Sequence, residues 1–232
     1  MKKLFGLFCM LIAASIAVIS VNEAYAAEPL YQQRINAAVT LVNTMATQSD
    51  ATGMADTVKS AKGIAIFPKV LKAGFIFGAE EGQGIVLLKS ENGGWFGPSF
   101  VGIAGASAGL QIGAEEIGLL LVINNDNGLS AFTGGNSFKL GADLAVAAGP
   151  VGRQVGAATN APLKASIYSY SMARGIFAGI SVSGAVINQN RDLNLAYWGS
   201  QLSAQQALAE PATGNQIQPL IAALNKLLEK AK

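Results

Sequence analysis

Ser107 stands within Gly105-Ala106-Ser107-Ala108-Gly109, which matches the G-x-S-x-G turn that presents a nucleophilic serine in acyl-transfer enzymes. That chemistry needs a base to take the hydroxyl proton, and the chain contains no histidine. No S-x-x-K spacing offers a lysine in its place. A metal would also lack imidazole, and Cys9 is the single cysteine, so only carboxylates are left to hold one. Glu80-Glu81 and Glu115-Glu116 are adjacent pairs. Neighbours on a strand point to opposite faces, so neither pair acts on one substrate or ion, and both read as polar hairpin ends or edge residues. Gly149-Pro150-Val151-Gly152-Arg153 lacks the Gly-Lys-Ser/Thr ending of a phosphate loop and reads as a turn. These residues argue against an enzyme and predict no cofactor and no metal.

The cations carry more. Lys59, Lys62, Lys69 and Lys72 fall close together with no acid among them. They read either as a solvated face or as a patch for an anionic surface. At about 1 kcal/mol per lysine near an anionic leaflet the four give roughly 4 kcal/mol, a millimolar-scale attachment that needs a second anchor. A formal net charge of +2 argues against nucleic acid as a partner.

The elements that must position these residues begin with a leader. Lys2 and Lys3 precede an apolar run over residues 4–21 and the small-residue site Ala24-Tyr25-Ala26, which predicts a signal peptide over residues 1–26 cleaved between Ala26 and Ala27. An uncleaved anchor is the alternative. Cleavage would remove Cys9 and leave no disulfide, so an exported chain must rely on its core. A hydrophobic fraction of 51% with 13% charged residues suits that.

Residues 28–48 space Leu30, Ile35, Ala38, Leu41, Val42 and Met45 as one face of an amphipathic helix, and residues 53–61 continue as a second. Pro68 is expected to break regular structure. Residues 63–67, 73–78, 85–88 and 118–123 read as strands, with hairpin signals at Asn92-Gly93 and Asn127-Gly128. Residues 138–148 and 165–170 read as a further strand pair, and residues 175–187 as a strand closing the sheet. Ile217, Leu220, Ile221, Leu224, Leu227 and Leu228 form the stripe of a C-terminal helix after a linker over residues 211–214.

Two glycine ladders, Gly74-x3-Gly78-x3-Gly82 and Gly105-x3-Gly109-x3-Gly113, suit membrane-helix zippers or strands with one bare face. Residues 92–114 are uncharged and long enough to span a bilayer. Asn92-Gly93-Gly94, Pro98 and Gln111 within them, and Glu115-Glu116 directly after, favour sheet. Either terminal helix would serve as the second anchor if its apolar face met a membrane, with Lys226, Lys230 and Lys232 flanking the C-terminal stripe. Covering the sheet is the favoured reading of both helices.

Six motifs then occur in order: Ala61-Lys62-Gly63-Ile64-Ala65-Ile66-Phe67-Pro68 with Gly74-Phe75, Gly82-x-Gly84, Gly94-Trp95-Phe96-Gly97-Pro98-Ser99, Gly149-Pro150-Val151-Gly152-Arg153, Tyr168-Ser169 with Arg174-Gly175-Ile176-Phe177-Ala178-Gly179, and Asn194-Leu195-Ala196-Tyr197-Trp198-Gly199. Their order and spacing over residues 30–200 resemble the SYLF family, with exported bacterial members and eukaryotic members that bind phosphoinositides or actin. The resemblance implies a non-catalytic module for anionic phospholipid that uses the basic N-terminal part of the domain, where Lys59, Lys62, Lys69 and Lys72 lie. An exported chain would not meet actin or phosphoinositides, so phosphatidic acid or phosphatidylglycerol is the expected ligand, at the outer side of the inner membrane or at the outer membrane. Self-association through the glycine-rich surfaces is the alternative function. The expected fold is α+β: a twisted, mostly antiparallel, glycine-rich sheet, open or partly closed, with an N-terminal amphipathic helix and C-terminal helices packed on it. The expected organisation is a signal peptide over 1–26, a SYLF-like lipid-binding domain over 27–200 and a helical extension over 201–232.

Overall fold

Helix α1 (Leu30–Ala46) buries Ile35, Ala38, Leu41, Val42 and Met45 of the face that its periodicity predicts and leaves Leu30 exposed. The structure is a computed structural model. It describes residues 27–48, 51–74, 77–108, 113–149, 165–173, 176–178 and 184–232. The leader and the Pro150-Val151-Gly152-Arg153 part of the predicted turn lie outside these residues. Helix α2 (Ala51–Ser60) leads into four long strands, β1 (Gly63–Gly74), β2 (Phe77–Lys89), β3 (Trp95–Ala108) and β4 (Gly113–Ile123). Then follow α3 (Asp126–Thr133), β5 (Phe138–Lys139), β6 (Val146–Ala148), β7 (Ile167–Ala173), β8 (Ile176–Ala178), β9 (Val186–Gln189), α4 (Arg191–Trp198), α5 (Ala204–Ala207) and α6 (Gln218–Leu228).

The strands form one sheet in the order β5-β9-β3-β2-β1-β4-β7-β6, with β8 paired to β7. All pairings are antiparallel except β6 with β7. The sheet curls into a half-barrel without closing, and the expected α+β class holds. No described helix is long and apolar enough to cross a membrane. The uncharged stretch of residues 92–114 runs through β3 and into β4 instead.

Several local expectations change. Strand β1 runs through Pro68, because the register slips there against both neighbours: Ile66 opposes Ile85 but Lys69 opposes Gln83, and Phe67 opposes Leu119 but Val70 opposes Ile117. A bulge asks for no ladder bond from the proline nitrogen, so a central strand can hold it. The extra residue also changes the strand's parity. Ile64 and Ile66 face the helices and Ala65 and Phe67 the concave side, yet beyond the bulge Val70 is the concave residue.

Of residues 73–78, Ala73 and Gly74 end β1 and Phe77 and Gly78 begin β2, with Gly74 opposite Gly78, so two strands meet where one was expected. Asn127-Gly128 lies inside α3, where the Asn125 side chain accepts from the Gly128 N–H and caps the helix. Gly128 serves close approach, since a Cβ there would stand 2.8 Å from the Ser166 carbonyl oxygen. The stretch 138–148 splits into β5 and β6 around the turn at Gly141, whose φ is +82°. Residues 175–187 supply β8 and β9 on opposite flanks of the sheet and so do not close it.

Each face of the sheet carries a core. The convex side packs Ile64, Ile66, Ile85, Leu87, Leu120 and Val122 under α1, α2 and α6, with Ile217, Leu220, Leu224 and Leu227 of the C-terminal stripe buried among them. The concave side gathers Phe67, Val101, Ile103, Leu119 and Leu121 with Phe132 of α3, Leu140 and Leu208. Both terminal helices therefore pack on the sheet.

Candidate functional site

The four lysines singled out from the sequence do not meet. Lys62 precedes β1, roughly 30 Å along the strand from Lys72 at about 3.3 Å per residue. Its ammonium pairs with Asp126 at 2.8 Å, and that hydrogen bond raises its pKa. Lys59 ends α2 and donates to the Lys232 carbonyl at 3.0 Å. Lys89, absent from the sequence-derived set, lies beside it, donating to the Val58 carbonyl at 3.4 Å and also to that of Lys59. Burial, and then the Lys59 charge, push its pKa down. Asp56 takes the Lys232 backbone N–H at 2.7 Å, so acid is interleaved with base at this end.

Lys69 and Lys72 lie beyond the bulge, on opposite faces. Lys72 turns to the concave side and pairs with Glu80 at 3.0 Å, their side chains 18% and 4% exposed. Glu80 is thus a buried partner rather than a hairpin-end charge, while Glu81 is exposed, as alternation on a strand requires. Lys69 stays on the convex side and pairs with Glu116, both more than half exposed.

The helices cover only one end of the convex face. Toward the hairpin ends, register aligns a second set of outward residues that nothing covers among the described residues. Leu71 stands between Glu81 and Glu116, and Glu81 opposes Ala104. Ala73 stands between Ala79 and Ala114, and Ala79 opposes Ala106. All are exposed, Leu71 at 47%.

This small-residue platform meets α1 at a cleft of about 470 Å³ between the helix and strands β1, β2, β4 and β7. The helix lies directly on β4, where a Cβ at Gly118 would stand 2.3 Å from Leu41 Cδ1. Ala37, Leu41, Pro68 and Met172 make the cleft's apolar wall, and Arg34 and Lys69 are its cations. Arg34 Nε donates to Gln83 Oε1 at 2.8 Å, which fixes the guanidinium and leaves its terminal nitrogens for a ligand.

The backbone around Ser107 differs from a nucleophile turn. It is the penultimate residue of β3, and the next described element is strand β4, where the nucleophile turn requires a helix. Among the described residues no three metal-binding side chains converge. The glycine ladders resolve into hairpin ends, with Gly74 opposite both Gly78 and Gly113.

Residues 104–227 match the Ysc84 family model, described as "Las17-binding protein actin regulator". The chain belongs to the Ysc84 family. This agrees with the SYLF resemblance carried by the motifs. It is 35% identical over 156 residues to LAS seventeen-binding protein 3 of Saccharomyces cerevisiae, covering 66% of this chain and 34% of that protein. It is 35% identical over 180 residues to SH3 domain-containing YSC84-like protein 1 of Rattus norvegicus, covering 76% and 52%. Against the Homo sapiens protein of that name it is 36% identical over 154 residues, covering 66% and 45%. This Ysc84-family chain spans about a third to a half of the length of these relatives.

Proposed function

We propose that this chain is an exported, non-catalytic binder of anionic phospholipid that meets the membrane with the uncovered half of its convex sheet face. The observation that carries the reading is the exposed apolar platform of Leu71, Ala73, Ala79, Ala104, Ala106 and Ala114, which ends at a cleft holding Arg34 and Lys69. Lipid phosphate would give Arg34 an anionic partner and take the place of Glu116 beside Lys69. The Lys69–Glu116 pair is too exposed to contribute much stability, so a phosphate can replace the carboxylate at little cost. Long basic side chains lay their stems on apolar surface and keep their charge at the headgroups. Two cations give about 2 kcal/mol at an anionic leaflet, so the platform must supply the rest.

The terminal helices are not the anchor in this account, since their apolar stripes are buried on the sheet. An exported chain would not normally meet actin, so actin is not the partner proposed. Names that mention LAS seventeen or SH3 domains describe relatives two to three times as long as the shared region.

Co-sedimentation of residues 27–232 with phosphatidylglycerol vesicles tests the proposal. Binding should fall with salt, be weak on phosphatidylcholine, drop about tenfold or more when Arg34 and Lys69 are both replaced by Ala, and disappear in Leu71→Asp. No binding at low salt would overturn the reading. Lipid-independent dimers abolished by Leu71→Asp would instead support self-association through the same platform.

A further inference from the structure

Ser99 is 1% exposed, and its hydroxyl has no hydrogen-bond partner among the described residues. A buried hydroxyl without a partner is costly, so such a group calls for an explanation. It borders a pocket of about 10 Å³, the room that a single water or hydroxyl group occupies. Asn136 and Gln189 line this pocket and also an adjoining open cleft of about 360 Å³. This second cleft lies at the start of α4 and α5, where Gln189 of β9 stands opposite Val101 of β3. Arg191 and Gln201 line it too, and neither they nor Asn136 hydrogen-bond to another described residue. Leu195 adds an apolar side chain 41% exposed.

The geometry points to a binding site for a saccharide bearing one acidic group. Carboxamides donate and accept at once, which matches vicinal hydroxyls. No carboxylate lines the cleft, so its one charge, the Arg191 guanidinium, selects an anion. The inner pocket admits only a hydroxyl-sized group, and a sugar hydroxyl placed there gives Ser99 its missing partner. An extended peptide fits less well. It would need a strand edge, and β9 offers only Asn188 and Gln189, since β3 takes one side of it and β5 takes Val186 and Ile187 on the other.

Titrating the protein with glucuronate and with glucose, read by NMR, tests the site. Glucuronate should shift the side-chain amide signals of Asn136, Gln189 and Gln201. Arg191→Ala should weaken glucuronate about threefold or more and leave glucose unchanged. Ser99→Ala should weaken both sugars about threefold or more, because it removes the only hydroxyl side chain that lines the inner pocket. The proposal is overturned if neither sugar shifts these signals up to about 50 mM, weaker than a specific site would bind. It is equally overturned if Ser99→Ala leaves both affinities unchanged, or if triglycine produces the same shifts as glucuronate.

Discussion

Lys72 and Glu80 place a full ion pair inside the concave side of the sheet, with only 18% and 4% of their side chains exposed. Removing one member of such a pair strands the other charge in the core, which costs about 3–5 kcal/mol, whereas neutralising both costs far less. Lys72→Ala should therefore lower the unfolding free energy by about 3 kcal/mol, and the double variant Lys72→Met with Glu80→Gln should recover most of it in urea melts. Tyr170 gives a pH dependence. Burial holds its phenol above the ordinary value of 10.0, against a hydrogen bond to Thr57 of 2.8 Å that pulls the other way. Below about pH 10 folded and unfolded chains both keep the proton; above it only the unfolded chain releases it, so stability falls as pH rises. Lys89, shifted down, sheds its proton first in the folded state and opposes this. Tyr170→Phe should flatten the alkaline fall in stability, and an unchanged slope would contradict the assignment. Neither residue announces its role in the sequence. The side of the sheet that Lys72 takes depends on the bulge at Pro68, a matter of strand register rather than of local composition.

Among the elements, α4 is tied to β3 through the side chain of Asn194. Asn194 Oδ1 accepts from the Phe100 N–H at 2.8 Å, and its Nδ2 donates to the Phe100 carbonyl at 2.9 Å and the Asn190 carbonyl at 2.8 Å, all beside the point where β9 ends its pairing with β3. The carboxamide continues the ladder in place of a strand. Asn194→Ala leaves a buried N–H unpaired and should cost about 2–4 kcal/mol in denaturant unfolding, and Asn194→Asp should cost at least as much because it turns a buried carboxylate oxygen toward two carbonyls. Elements with long apolar periodicity were legible: α1 and α6 show their buried faces in sequence, and Asn92-Gly93 marks the β2–β3 turn through Gly93 at φ +82°. Short-range signals failed where long-range contacts decide. Asn127-Gly128 looks like a hairpin, yet the Asn125 cap makes it helical. The parallel β6–β7 pairing joins residues about twenty apart and leaves no local trace.

For the whole molecule, the half-barrel has two cores because helices cover one end of the convex face and α3 and the 138–148 segment fill the concave side. What stays uncovered is the platform toward the hairpin ends. Its residues come from β1, β2, β3 and β4, so no window of sequence contains it, and of the four lysines read as a patch only Lys69 borders it. Arg34 was hidden for the same reason, standing on the polar side of a helix far from β1 in sequence. The most direct test of the platform uses residues 27–232, which contain no native cysteine. An environment-sensitive dye on Ala104→Cys should shift to the blue on phosphatidylglycerol vesicles, while the same dye on Asp126→Cys should not move. A shift at Asp126→Cys with none at Ala104→Cys would contradict the account.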